Sequence, residues 1–361
     1  MSSLAQASDI PTTHSILSAR RFGTARRYIL DGVAVEAVAS LGTLFSTPLA
    51  PGYIPAFVRR VRSADIVIHH APLPLNDAAI LLGLPDDVAL VIYWHAEIAG
   101  YPLLKRLVAP LIRAALARAD RIVVSGQPMI DHSEFLRPHA KKCAVLPYGM
   151  DLEYWRTLDS GERAIVERMR RERPRHIVAL GRLVGYKGYD VLIRAMQSVD
   201  GHATIIGEGP LFAELQQLAT RLGVSDRIRF SGRLPRDQIK QLFHSAQIFA
   251  FPSVTEAEAF GIVQIEAMAA GLPIVNTSLA TTAPLVARHD HEALTVPLGD
   301  PQALSQALNR ILDDPALAER LGAAGRERAL NEFDLSVFRT RMEIIYQDAV
   351  QARRNRVDKP R

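Results

Sequence analysis

The chain has 361 residues, 48% of them apolar and 22% charged, with a formal net charge of +5; this excludes a disordered polypeptide and exceeds what one hydrophobic core ordinarily serves, so two domains are expected. Most of the excess, +4, falls in residues 1–150, but no Lys/Arg stripe interleaved with aromatics accompanies it, so nucleic acid is not an expected partner. A single cysteine, Cys143, excludes an intramolecular disulfide and any multi-cysteine metal site.

Apolar runs alternate with helical patterns from end to end, the signature of doubly wound α/β units. In the first half, strands are predicted over 33–38, 66–69, 88–94, 121–125 and 143–146, and helices over 55–62, 101–118 and 128–136. Cys143 is expected to fill an apolar slot in the last of these strands. The helix over 101–118 mixes Leu103, Leu104, Leu107 and Leu111 with Lys105, Arg106 and Arg113; it fits both packing against its own sheet and peripheral contact with an anionic membrane surface. The second half repeats the scheme, with strands over 176–180, 203–206, 228–231, 248–252 and 273–276 and helices over 188–197, 210–222, 235–243 and 261–270. The charged stretch 161–175 has no strand character and places the boundary near 165, giving domains 1–165 and 166–335, followed by a helix and basic tail over 336–361. Residues 1–11 carry no apolar core of signal-peptide length, and no run of about 18 apolar residues occurs. A cytoplasmic location is the expectation.

Chemistry concentrates in the second half. Glu258 precedes a helix that opens at Phe260, Gly261 and Ile262, where first-turn N–H groups are unpaired and favour an anion such as a diphosphate. Glu266 lies about two turns further on. Taken alone, this is also the pattern of an amphipathic helix with one solvated glutamate. Upstream, Gly181-Arg182-Leu183-Val184-Gly185-Tyr186-Lys187-Gly188 sets a guanidinium fork and a compact ammonium on one glycine-rich strand-to-helix loop, a pairing suited to phosphate oxygens.

With Gly207-Glu208-Gly209-Pro210, Phe230-Ser231-Gly232-Arg233 and Gly271-Leu272-Pro273-Ile274-Val275 in the same order and approximate spacing, the chain resembles the retaining glycosyltransferases of family 4. The resemblance covers 140–350 closely and 30–140 more loosely. It implies a GT-B-like α/β fold, two doubly wound Rossmann-like domains facing a cleft, and transfer of a hexosyl unit from GDP-mannose or a UDP-hexose to a glycan or lipid-linked saccharide acceptor. That would place the protein in bacterial polysaccharide synthesis, cytoplasmic or peripheral on the inner face of the membrane. Carried over by position, Glu258 meets the donor sugar near the reacting carbon and Glu266 the ribose, with Gly181, Arg182, Lys187, Phe260, Gly261 and Ile262 around the diphosphate. Arg233 would frame the base. His95, at a strand end, would approach the donor sugar, with His69 and His70 nearby. Asn276-Thr277 and Thr281-Thr282 are further candidates for donor contact. No metal or other cofactor is expected. The alternatives are a non-catalytic sugar-nucleotide-binding protein and an epimerase of the same architecture.

In that family a first strand and a glycine-rich turn close over the donor phosphates. No such segment precedes His14, and Gly23 and Gly32 stand singly. The first domain is therefore expected to be incomplete unless 2–10 supplies the missing wall, and an N-terminally extended form is expected to be more active and more stable.

Overall fold

The structure, a computed structural model, describes residues 13–44, 47–96 and 102–357. It divides into two compact units, Met1–Pro147 with Phe338–Arg361, and Tyr148–Val337.

In the first unit, β1 (Ser15–Ala19), β2 (Arg26–Leu30) and β3 (Val33–Val38) form a sheet of order β1-β3-β2, with β1 parallel and β2 antiparallel to β3. The two-residue turn Asp31-Gly32, both at positive φ, joins β2 to β3 in the geometry that matches the twist of a hairpin. This Asp-Gly signal marks a hairpin that the alternation of apolar runs did not show. The segment 2–10 lies outside the described residues. A small ribbon of β4 (Thr43–Leu44) and β5 (Thr47–Pro48) follows, then α1 (Tyr53–Val61), β6 (Ile66–Ala71), α2 (Pro74–Gly83), β7 (Ala89–Trp94), α3 (Pro102–Arg118), β8 (Arg121–Val124), α4 (Gln127–His132), a tight helical turn at Arg137–Lys142 and β9 (Cys143–Val145). Strands β6-β7-β8-β9 form a parallel sheet. Every residue of β7 is buried, as a strand covered on both faces requires. Cys143 packs against this core, and burial pushes its thiol up to about 11.

The second unit opens with α5 (Glu153–Arg156) and α6 (Ser160–Glu172). The domain boundary thus falls at 147/148, not near 165. The reason is packing: Trp155 is buried against Phe243, its carbonyl bonds His244 Nε2 at 2.8 Å, and Lys240 pairs with Glu162 at 2.6 Å. The stretch 161–175, charged and without strand pattern, is largely helix. Asp159 accepts from the Glu162 N–H while the Glu162 side chain accepts from the Asp159 N–H, a reciprocal cap that starts α6.

There follow β10 (His176–Leu180), α7 (Tyr189–Ala195), β11 (His202–Ile206), α8 (Phe212–Arg221), β12 (Ile228–Gly232), α9 (Arg236–Ser245), β13 (Ile248–Phe251), α10 (Ile262–Ala270), β14 (Ile274–Thr277), α11 (Ala283–Val286), β15 (Ala293–Val296), α12 (Pro301–Asp313) and α13 (Pro315–Arg328). The sheet is parallel throughout, in the order β12-β11-β10-β13-β14-β15. That order reverses between β10 and β13, and ligands of such sheets bind outside the strand carboxyl ends at this switch point.

The last helix, α14 (Leu335–Val357), starts in the second unit and runs into the first. Its far end is held by Asp120, which has no exposed surface. The carboxylate accepts from the Leu90 N–H at 2.9 Å and from Arg353 Nε at 3.1 Å, and pairs with Arg356 at 3.3 Å and Arg118 at 3.5 Å. One buried anion therefore joins β7, the α3–β8 junction and α14. Removing one side of such a network strands the others without compensation, so Asp120→Asn should destabilise the first unit by about 3–5 kcal/mol. Urea denaturation of the full chain should show its first transition moved to lower urea; an unmoved transition would show that the network contributes no net stability.

Candidate active site

The site grows from the two loops that leave β10 and β13. After β10, the chain turns at Gly185–Lys187 and passes through Gly188, which has φ 64°. A Cβ there would lie 2.0 Å from the Pro252 carbonyl oxygen, so only glycine lets this loop reach the one after β13. The Val254 N–H donates to the Tyr186 carbonyl at 2.8 Å across the same seam. The result is a contact between Lys187 Nζ and Glu258 Oε2 at 2.5 Å, with both side chains largely buried. Ser253, fully buried, donates to that same carboxylate oxygen at 2.9 Å, and the Thr281 hydroxyl donates to the Glu258 carbonyl at 2.8 Å.

The glutamate loop then enters α10 through Gly261, at φ 76°, where a Cβ would meet the Phe251 ring at 2.6 Å. Phe260 is a core residue, packed edge-on against Tyr148 and Phe333. It pins the loop so that the first turn of α10 opens on a cavity of about 420 Å³ whose lining includes Gly181, Lys187, Glu258, Gly261 and Ile262. A helix start and an ammonium thus share one cavity with the Glu258 carboxylate that partners the ammonium. Next to it, with Leu180 in both linings, lies a cavity of about 680 Å³ lined in part by Arg233 and Arg236. Glu266 is partly buried, and desolvation pushes its carboxyl up to about 7 against the opposing pull of Arg236.

Sequence comparison agrees with this geometry. Residues 162–328 match the family model described as glycosyl transferases group 1. The chain is 30% identical over 296 residues to the D-rhamnosyltransferase WbpZ of Pseudomonas aeruginosa, covering 79% of this chain and 74% of that protein. The chain belongs to the group 1 glycosyl transferases. It is 27% identical to the O-antigen chain mannosyltransferase C of Escherichia coli, over 78% of this chain and 75% of that one. In fold it resembles HepE of Anabaena, solved in complex with UDP, at TM-score 0.72 and 21% identity, over 88% and 87% of the two chains. The two parallel-sheet units of this glycosyltransferase are those of a GT-B enzyme.

Of the residues nominated from sequence, Gly181, Lys187, Glu258, Phe260, Gly261 and Ile262 line one cavity of the glycosyltransferase and Arg233 lines the other. Arg182 is exposed and lines neither. His95 is in the first unit, its Nε2 2.7 Å from His70 Nδ1 with the ring planes 3° apart. Burial holds both imidazoles below their usual range, His70 at about 4 with a further contribution from His95. His69 is buried between Asn76 at 2.6 Å and Asp77 at 2.9 Å. Asn276 does not face a cavity: its amide donates to Gln264 and to the Ala287 carbonyl and accepts from Thr295. Thr277 is buried too, bonded to the Ser253 carbonyl. In the Gly207–Pro210 turn, the Glu208 carbonyl accepts from the Leu183 N–H at 2.9 Å and Gly207 lines the larger cavity. Ser253, five residues before Glu258 on the same loop, and the His70–His95 bond, between neighbouring strand ends, had no sequence signal of their own.

A carboxyl whose folded pKa is raised by burial binds its proton more tightly in the folded state, so it costs stability as pH rises from 4.5 to about 7. Glu266→Gln should therefore melt higher than the parent at pH 8 and close to it at pH 4.5. Thermal melts across that range check this; a gap independent of pH would show that folding leaves the proton affinity of Glu266 unchanged.

Proposed function

We propose that this glycosyltransferase is a retaining hexosyltransferase that moves a hexosyl unit from a nucleoside-diphosphate sugar, GDP-mannose or a UDP-hexose, to a glycan or lipid-linked saccharide in bacterial polysaccharide synthesis. The carrying observation is the Lys187–Glu258 pair beside the opening turn of α10 in one cavity at the switch point. The relatives' printed names, a rhamnosyltransferase and an O-antigen mannosyltransferase, support hexosyl transfer into surface polysaccharide.

In this reading the diphosphate rests on the N–H groups of α10. Lys187 has three N–H donors, so it can hold Glu258 with one and phosphate oxygens with the others. Arg182, on the same loop but lining neither cavity, has no contact in this reading. As the bond from the anomeric carbon to the diphosphate oxygen breaks, negative charge grows on the leaving group toward Lys187 and positive charge on the sugar ring toward Glu258. Stabilisation placed where charge develops lowers the barrier. The acceptor hydroxyl bonds to the anomeric carbon on the face the diphosphate leaves, and its proton passes to a donor phosphate oxygen. No metal ion has a part in this scheme. Peripheral contact with the inner face of the membrane belongs to the same proposal: Leu103 and Leu107 on α3 are 81% and 78% exposed beside Lys105 and Arg106. No helix among the described residues is long and apolar enough to cross a membrane.

Lys187→Ala should weaken nucleoside-diphosphate binding by about 1.5–3 kcal/mol, the worth of a charge-assisted hydrogen bond, and change nucleoside binding far less. Calorimetric titration with both ligand types decides it, and equal losses would remove Lys187 from the phosphate site. Glu258→Gln keeps shape but removes charge beside the developing cation, so sugar transfer should slow much more than donor affinity falls. Transfer at the parental rate would displace the reacting centre from Glu258.

A further inference from the structure

The larger cavity carries information about the donor's base. Its walls are largely aliphatic, from Leu180, Ile206, Leu234 and Ile239, and its charged lining residues are Arg233 and Arg236, with no carboxylate. Given the proposed function, on which this inference rests, a donor with its diphosphate at Lys187 lays its base here, its ribose passing near Glu266, which itself lines neither cavity. Leu180 borders both cavities, and the charge of Arg236 bears on Glu266.

The two arginines are not equivalent. The guanidinium of Arg236 is seated 4.2 Å from the Tyr154 ring centre and 4.9 Å from that of Trp155. Both are exposed, but Arg233 follows directly on β12 and, among the described residues, is not seated on aromatic rings as Arg236 is, so its fork is the one within reach of a base edge.

We propose that Arg233 makes this cavity select guanine by donating two parallel hydrogen bonds to O6 and N7. The planar fork requires two adjacent acceptors. Guanine presents them at O6 and N7; adenine sets an amino donor beside N7, and the carbonyls of uracil flank the donor N3–H, while cytosine's one such pair, O2 and N3, lies closer to the ribose than guanine's, so that CDP is the control for the position of the fork. The opposite edge of guanine, N1–H and the 2-amino group, finds no carboxylate among the lining residues, so discrimination resides at O6 and N7.

Calorimetric titration of the full chain with GDP, UDP, ADP and CDP, together with two edited bases, tests this. IDP keeps O6 and N7 but lacks the 2-amino group, and 7-deaza-GDP lacks only the N7 acceptor. GDP and IDP should bind alike, and about tenfold or more tighter than the other four, the discrimination one bidentate contact supplies. In Arg233→Ala, GDP and 7-deaza-GDP should become equal while UDP affinity holds. Arg233→Lys, which keeps the charge without the rigid fork, should narrow the gap between GDP and 7-deaza-GDP and leave UDP affinity unchanged. Equal affinity of the parent for GDP and UDP, or for GDP and 7-deaza-GDP, overturns the proposal. So does discrimination that survives Arg233→Ala but is lost in Arg236→Ala. If the parent binds no nucleoside diphosphate at all, the donor reading falls and takes this inference with it; if it binds all of them equally, the donor reading stands and this inference alone fails.

Discussion

The chemistry of the second unit depends on the close approach of the loops after β10 and β13, and that approach depends on the absence of a side chain at Gly188. With the backbone of one loop against the Pro252 carbonyl of the other, Lys187 and Glu258 meet at 2.5 Å in a partly dry setting. Such a pair gives little net stability, because desolvation offsets most of the attraction. Its value is in placement: a cation and an anion stand side by side where a breaking glycosyl–phosphate bond would separate opposite charges. Ser253 adds a neutral donor to the same Glu258 oxygen, which fixes the carboxylate without competing for the lysine's charge.

Around that pair, buried polar groups set backbone positions. Gln264 and Asn276 bond each other and the carbonyls of Ala283 and Ala287, tying α10 to β14 and to both ends of α11. Each amide would be costly to bury unpaired, so the network allows one arrangement of these elements, and the opening turn of α10 is presented at a constant place. Glu266 projects from the same helix, and its carboxyl, lifted to about 7 by burial, can change charge near neutral pH.

The first unit follows the same logic at a different strand. β7 is buried along its whole length and ends in Tyr93-Trp94-His95. Tyr93 bonds Tyr346 of α14 at 3.1 Å, and His95 lies in plane with His70 from the neighbouring strand end. Two neutral imidazoles sharing one N–H···N bond constrain each other's tautomer. The far end of α14 is held by the Asp120 network, so this helix is bound to β7 at two points.

The sequence alone determined the alternation of strands and helices, the glycine-bracketed loop with Lys187, and the pair of glutamates around α10, since each is carried by residues close together in the chain. Apolar runs located most strands of the two larger parallel sheets within a residue or two. They did not show the Asp31-Gly32 hairpin, whose mark is turn chemistry, or α6, whose mark is a reciprocal cap on a polar helix. Nor did they show that 148–172 belongs to the second unit, which Trp155 and Glu162 decide through partners about 80 residues away. Only the tertiary structure distinguished buried Asn276 from cavity-lining residues and set Arg233 apart from Arg236. Burial and long-range contact have no period along the chain, and these assignments rest on nothing else.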